Sequence, residues 1–325
     1  MCTTPTTPPP PLLRRAQAAF WGLLDPWMFM SIAASFIPST IANLIRTGKY
    51  WTLLSPSRFR EAWFGLFWGY VGPNIRADGD SHVVPLLEGR VSDGRVMEEA
   101  QGPGIGGIVL ELGAGSGFWV DCFGDEYLGE REQAATTSSA AVTDPDAVPR
   151  SRATGQKRRN ARTPVTRVYG IEPSADQHPA LRAAIARAGL DSIYRVVPVG
   201  VQDLSDPSRN PHAIARGSVD CIVSVLCLCS IPDPEVNVRE LYSYLKPGGR
   251  WYVYEHVRCE NSWYMRAYQR FVNLFWPYFL GGCLLCRPTG KTLCEAGPWS
   301  KVDVTQPPTE QWHHCVPHII GVYTK

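Results

Sequence analysis

Apolar positions in the second half of the chain fall in short, nearly unbroken blocks. Residues 109–112 (V-L-E-L), 168–172 (V-Y-G-I-E), 218–226 (S-V-D-C-I-V-S-V-L) and 251–257 (W-Y-V-Y-E-H-V) each carry four to nine residues with little polar alternation. Blocks of that length and content predict buried strands, and the helical stretches between them predict a sheet wound with helices. The last block is preceded by L-K-P-G-G-R at 245–250, a helix stop that leads directly into a strand. The pattern therefore predicts an α/β fold, a Rossmann-like doubly wound sheet.

The first 75 residues are patterned differently. Residues 1–11 are rich in Thr and Pro and can bury nothing, and they lack the cationic start and small-residue cleavage site of a secretory signal. Residues 27–45 contain no charge over 19 positions, which at ~1.5 Å per residue approaches the ~30 Å of a hydrocarbon layer. Pro38 and several Ser, Thr and Asn residues dilute that run, and Arg14, Arg15, Arg46 and Lys49 flank both ends. Phe59, Trp63, Phe67 and Tyr70 then recur at helical spacing, with Phe64 and Trp68 beside them. Three readings stand open for this region: an interfacial anchor, a single span, or a lid over a substrate pocket. A second compositional break lies at 128–164, where small polar residues are followed by Lys157, Arg158 and Arg159, and too few apolar side chains are present to repay ordering. The expected organisation is a disordered lead at 1–18, a helical anchor or lid at 19–75, and a main domain at 76–325 interrupted by a disordered insertion at 128–164.

Candidate chemistry begins where the first block ends. Glu111 is followed by Gly113, Ala114, Gly115, Ser116 and Gly117, an E-x-G-x-G-x-G turn that lets backbone approach a ligand closely and is expected to open a helix directly after Gly117. The dinucleotide pattern G-x-G-x-x-G needs its third glycine one residue later, where Phe118 stands. The upstream acid also suits a ligand with an ammonium and a sulfonium better than a diphosphate, which a carboxylate would repel. Glu172, at the tip of the second block, can accept both ribose hydroxyls of an adenosine. Without the insertion, its separation from the glycine turn returns to about 20 residues, typical of such pairs. Glu255 and His256 close the strand at 251–257, at the edge where open α/β sheets place ligands. His256 is the candidate base, Glu255 could orient its ring, and His318 is a second candidate from the C-terminal segment. The competing reading of His256 is a structural histidine bonded to a loop. Asp233 follows Pro232 and reads first as a helix cap.

Composition narrows the partners. At 325 residues and 44% hydrophobic content the chain can bury a full α/β core. A net charge of +2, with 19% charged residues, offers no field for nucleic acid. Of the 10 cysteines, Cys221, Cys227 and Cys229 fall in or beside a buried strand and read as reduced core residues. Cys283 and Cys286 have ligand spacing, but Cys294, His313, His314 and Cys315 do not complete a zinc pattern, so no metal is expected.

Together the glycine turn, the acid at 172 and the L-K-P-G-G turn resemble those of class I S-adenosylmethionine-dependent methyltransferases. The segment from 218 to 257, with Trp263, Gln269, Trp276, Gly282, Cys283, Arg287 and the P-H-I-I-G run at 317–321, resembles the membrane-associated alkyl thiol methyltransferases among the methyltransferase-like proteins. The likeness covers residues 105–325 without the insertion. It implies S-adenosylmethionine as cofactor, held by Glu111, Gly113, Ala114, Gly115, Gly117, Glu172, Gln202 or Asp203, and Leu226. Relatives carry Gly-Asp or Gly-Glu at the adenine edge where this chain has Gly200, Val201, Gln202 and Asp203, so either of the last two could meet the adenine. The resemblance further implies a small lipophilic acceptor, a thiol or a secondary-metabolite intermediate. It implies an intracellular location at a membrane surface such as the endoplasmic reticulum, with the cytoplasm as the alternative. O- or N-methylation, a nicotinamide-dependent oxidoreductase and a cofactor-binding protein without catalysis are the competing functions.

Overall fold

A computed structural model describes residues 12–124 and 163–325. The elements, in order, are helices α1 (Leu12–Ser35), α2 (Ile37–Arg46), α3 (Tyr50–Leu54) and α4 (Pro56–Leu87), a small hairpin β1 (Val91–Ser92) and β2 (Arg95–Val96), and strand β3 (Gly107–Leu112). After the undescribed stretch come β4 (Val165–Ile171), α5 (His178–Arg187), β5 (Tyr194–Val197), β6 (Val219–Val225), α6 (Pro234–Tyr244) and β7 (Leu245–His256). Helices α7 (Trp263–Val272), α8 (Trp276–Phe279) and α9 (Thr289–Cys294) and strands β8 (Lys301–Thr305) and β9 (His318–Thr324) complete it.

The main sheet has the order β5-β4-β3-β6-β7-β9-β8. Its first five strands are parallel, and β9 runs antiparallel to both β7 and β8. Each apolar block noted above is one of its central strands, because a parallel strand buries both faces. Side chains alternate between two cores: Val109, Val168, Cys221 and Tyr252 pack on one side, and Leu110, Ile171, Ile222 and Trp251 on the other. The chain turns away from β3 toward β4 on one side and β6 on the other, so the end of β3 is the switch point at which such sheets hold ligands. The L-K-P-G-G segment is already part of β7. Val219 pairs with Leu245 and Cys221 with Arg250, so residues 246–249 bulge out, with Gly248 at φ +76°.

Four expectations need correction or placing. Residues 12–18, assigned to a disordered lead, form the first turns of α1. The boundary at 75 falls inside α4, a helix of 32 residues that runs from the aromatic stripe into the main domain. The helix expected directly after Gly117 is, within the described residues, a 3-10 turn at Val120–Phe123. The insertion at 128–164 lies outside the described residues except for its last two, of which Pro164 accepts a backbone hydrogen bond from Gly107 at 2.9 Å.

Helix α4 joins the N-terminal helices to the sheet. Val83, Val84, Leu86 and Leu87 are fully buried against the sheet, while Trp63, Phe67 and Val71 pack with Met30 and Ala33 of α1 and with Val272, Trp276 and Leu280 of α7 and α8. Trp63 donates to the Ala33 carbonyl at 2.6 Å, and Trp27 to the Tyr268 hydroxyl at 2.9 Å. Midway, α4 presses on the residues that follow the glycine turn. Arg76 donates to the Phe118 carbonyl at 2.7 Å, pairs with Asp121 at 3.1 Å and lies 4.2 Å over the Trp119 ring.

Gly72 makes this approach possible, since a Cβ there would stand 2.2 Å from the Phe118 ring. Overpacking costs about 1–3 kcal/mol, against roughly 0.8–1 kcal/mol recovered by removing a helical glycine. Gly72→Ala is therefore expected to lower the urea midpoint, whereas Gly69→Ala, where a Cβ meets nothing within 4 Å, is expected to raise it. Equal gains for both variants would contradict the packing.

Candidate active site

The glycine turn takes its shape from three residues in the left-handed region, Gly113 (φ +64°), Gly115 (φ +53°) and Gly117 (φ +83°). A side chain at Gly113 would put its Cβ 2.8 Å from that of Cys227, and one at Gly117 would put its Cβ 2.7 Å from that of Ala184. The turn is tied to β4 from both sides: Ala114 N–H donates to the Ile171 carbonyl at 3.1 Å, and Gly115 N–H donates to Glu172 Oε2 at 2.8 Å. The other carboxylate oxygen of Glu172 accepts from Ser174 N–H at 2.8 Å. Burial raises the Glu172 carboxyl above its ordinary value while these two amides oppose it. Each oxygen retains a free lone pair, so the carboxylate can fasten the turn and still accept further hydroxyls.

Glu111 lies beneath this cradle and is almost fully buried. Its partner is the Tyr194 hydroxyl, which reaches across from β5 and donates to Oε2. The intervening strand allows this only because residue 170 is glycine; a Cβ there would fall 2.1 Å from the Tyr194 oxygen. At the turn expected to meet the adenine, Val201–Asp203 forms a 3-10 turn in which Asp203 pairs with Arg209 at 2.6 Å and the Gln202 side chain is exposed. Leu226, just past β6, holds φ +53° and donates to the Tyr254 carbonyl at 2.9 Å. A branched side chain in that conformation marks local strain, which concentrates at functional sites.

The three candidate catalytic residues part company. Glu255 is fully buried and spends its carboxylate on the loop after β6, accepting from Cys227 N–H at 3.1 Å and Leu228 N–H at 3.2 Å. Burial pushes its carboxyl up to about 7, with those amides opposing. It shapes the loop, and among the described residues it makes no hydrogen bond to His256. His318 faces His256 across the β7–β9 pair, but its ring stacks on Tyr254 at 5.0 Å and its Nδ1 lies 2.6 Å from Glu310 Oε1. His256 Nε2 lies 3.0 Å from Cys283 Sγ, with Cys229 beside it, and Nδ1 has no partner among the described residues. Asp233 occupies the N-cap of α6 in a left-handed conformation, and its side chain makes no capping bond.

Sequence reasoning missed Tyr194, the loop-closing role of Arg287 and the pairing of Cys283 with Cys229 and His256. Arg287 donates to the Leu228 and Ile231 carbonyls at 2.8 and 2.6 Å and closes the same loop that Glu255 holds. Gly170 beside Glu111 was the one local signal for Tyr194; the others are contacts between segments more than 25 residues apart.

A sheet of this strand order with a glycine turn at its switch point defines the class I methyltransferase fold. Residues 95–296 match the family model described as a methyltransferase domain, and the chain belongs to that family. Human thiol S-methyltransferase TMT1A is 37% identical over 119 residues, covering 36% of this chain and 48% of the relative. Human thiol S-methyltransferase TMT1B is 32% identical over 120 residues, covering 37% and 49%. The chain thus spans about half the length of the curated relatives it matches. Among solved structures, a geranyl diphosphate methyltransferase in complex with SAM superposes with a TM-score of 0.42 at 11% identity, over 77% of this chain and 84% of that one.

Burial pushes the Glu111 carboxyl up to about 7, with the Tyr194 hydrogen bond opposing the rise and Glu172 adding to it. A carboxyl raised in the folded state binds its proton more tightly than in the unfolded chain. Its contribution is therefore fully present below the ordinary carboxylate value and lost as pH rises through about 7. Thermal unfolding of Glu111→Gln is expected to show a flatter slope between pH 5 and 7 than the native chain; an unchanged slope would contradict the burial of this acid.

Proposed function

We propose that the chain is an S-adenosylmethionine-dependent methyltransferase that methylates the sulfur of a small lipophilic thiol. The observation that carries the cofactor is the cradle at Gly113, Gly115 and Glu172, where close backbone approach and a carboxylate with spare lone pairs meet at the switch point. The cofactor supplies an electrophilic methyl group on a sulfonium. Gly113, Ala114, Gly115 and Gly117 offer backbone to its amino-acid end, Glu172 receives the ribose hydroxyls, and Asp203, steadied by Arg209, receives the adenine amino group. Leu226 lies against the nucleoside. Glu111 acts from below, where its charge favours the cofactor's ammonium. Family membership disfavours the nicotinamide reading.

The relatives' thiol S-methyltransferase activity supports sulfur as the acceptor atom. A thiol ionises near ~8.5, so it needs far less assistance than a phenol near ~10. His256 marks the corner where the acceptor thiol loses its proton; Cys229 and Cys283 flank it, and the loop carrying Cys227 brings this corner to the glycine turn. Most of the rate then comes from holding sulfur and methyl in line in a dry pocket. The N-terminal helices help exclude water, since α1, α4, α7 and α8 share one apolar core.

The same helices turn apolar side chains outward. Phe20, Trp21, Ile45, Trp51 and Leu54 are exposed on α1 to α3, and Leu274 on the loop after α7. Within Ala16–Arg46 an 18-residue window reaches a mean hydropathy of 1.6, and 22% of that window is buried. Because α1 is fastened through Trp27, Ala33 and the Leu23 carbonyl, which accepts from Tyr268, an interfacial seat fits it better than a free span. Such a seat would draw lipophilic thiols from the bilayer.

Transfer of labelled methyl to an alkyl thiol, a phenol and an amine, each with and without phospholipid vesicles, tests this reading. Preference for the thiol, increased by vesicles, is the expected outcome. Preference for the phenol would move the acceptor to oxygen, and no transfer to any of the three would remove the proposal.

A further inference from the structure

The corner beside His256 contains an arrangement that neither the expected base nor the buried acid explains. Cys229 Sγ, one nitrogen of His256 and Cys283 Sγ all lie within 4.8 Å of one another. They come from three separate segments: the loop after β6, the end of β7, and the turn after α8. Each is held by named contacts. Cys229 belongs to the loop clasped by Glu255 and Arg287, and its carbonyl accepts from Leu284 N–H at 3.1 Å. Cys283 is brought back toward the sheet by Gly281 and Gly282, both in the left-handed region at φ +60° and +90°, and it accepts from the Trp276 indole at 3.2 Å. A Cβ at Gly281 would press on the Phe64 ring at 2.8 Å, so this turn is seated against α4.

We propose that Cys229, His256 and Cys283 bind one zinc ion, with its fourth position left for the acceptor thiol. Two sulfurs and one imidazole are a donor set that zinc takes in catalytic sites with three protein ligands. Zinc–sulfur and zinc–nitrogen bonds of about 2.3 and 2.0–2.1 Å in a tetrahedron set the ligand atoms about 3.5–3.8 Å apart. The His256–Cys283 pair, now at 3.0 Å, would open by about half an ångström on binding. The charges balance as well. Two thiolates neutralise the ion, and a third sulfur from the substrate adds one negative charge near the Arg287 guanidinium, which is bonded to the Leu228 and Ile231 carbonyls on either side of Cys229. Cys229 and His256 are buried while Cys283 is half-buried, so the open side lies at Cys283.

This inference rests on the thiol reading and deepens it. When R–SH binds, a zinc–sulfur bond forms, the S–H bond breaks heterolytically and the proton leaves to water. The sulfur keeps a lone pair for the methyl group, and the oxidation state of zinc is unchanged. In that arrangement His256 is a ligand and no longer the proton acceptor. The spacing of Cys283 and Cys286 in sequence drew attention to the wrong pair, because Cys286 is not part of the cluster.

Zinc(II) alone is the probe. Full-length protein is stripped with a chelator, reloaded with zinc, desalted and analysed for metal, and its affinity is read by competition with a chromophoric chelator. The native chain is expected to hold one zinc per molecule. Cys229→Ser and Cys283→Ser are expected to bind more weakly by more than the roughly 10–100-fold typical of losing an outer partner. Cys286→Ser is expected to match the native chain. Circular dichroism distinguishes loss of the site from loss of the fold, and cobalt(II) substitution should give a sulfur-to-metal absorption band that Cys283→Ser lacks. A native chain that retains no zinc, or cysteine variants that bind as tightly as it does, would overturn the site. Methyl transfer that proceeds fully in zinc-free protein would leave the thiol reading standing and remove the metal, whereas zinc binding without any methyl transfer would do the reverse.

Discussion

The Glu172 carboxylate fastens the glycine turn. Gly115 donates to one oxygen and Ser174 to the other, so the loops after β3 and β4 are held at one point, at the place where the sheet reverses its winding. Bonds to a charged acceptor are worth more than neutral ones, about 1.5–3 kcal/mol each. In a buried position they also decide where the backbone cannot go. Three left-handed glycines are tolerable there because the carboxylate, the Ile171 carbonyl and the pressure of α4 on residues 118–121 leave the turn no other shape.

The rest of the site is layered on that turn. Glu111 and Tyr194 fill the space beneath it, and Gly170 makes their contact possible. The loop after β6 closes its other flank, with Cys227 against Gly113 and with Glu255 and Arg287 clasping the backbone from opposite polarities. Carboxylate to amides and guanidinium to carbonyls satisfies a buried loop that would otherwise strand polar groups. The corner at His256 is then formed by chain distant in sequence: α7, α8 and the glycine pair at 281–282 meet α1 and α4 in a shared aromatic core. That core packs the inner face of the N-terminal helices against α7 and α8 and leaves apolar side chains such as Phe20, Trp21 and Trp51 exposed on their outer face.

How much of this could be read beforehand depended on whether the cause was local. Strands β3, β4, β6 and β7 were legible because burial on both faces leaves continuous apolar runs, and the glycine turn and Glu172 because backbone conformation and ligand approach demand particular residue types in sequence. The extent of α4 was not legible: the helix runs through Gly72, Pro73 and Gly79, residues that weaken a helical pattern, and two of them are the positions where Phe118 and Trp119 pack against the helix. The roles of the acids divided in the same way. Glu172 stands where its spacing put it, whereas Glu255 and His318 could be placed at the strand edge but not assigned partners, because those partners, the Cys227 and Leu228 amides and Glu310, are set by tertiary packing. The cluster of Cys229, His256 and Cys283 depends on contacts across 27 and 54 residues of sequence, and only the folded chain brings it together.

The most direct test of the account is calorimetric titration of S-adenosylmethionine into the native chain and into Glu172→Gln, which preserves size but removes the charge. Saturable binding to the native chain, weakened by roughly 10–150-fold in the variant, is the expected result, corresponding to about 1.5–3 kcal/mol lost at a charged acceptor. No binding to the native chain, or equal affinity in the variant, would contradict the claim that this carboxylate holds both the turn and the nucleoside.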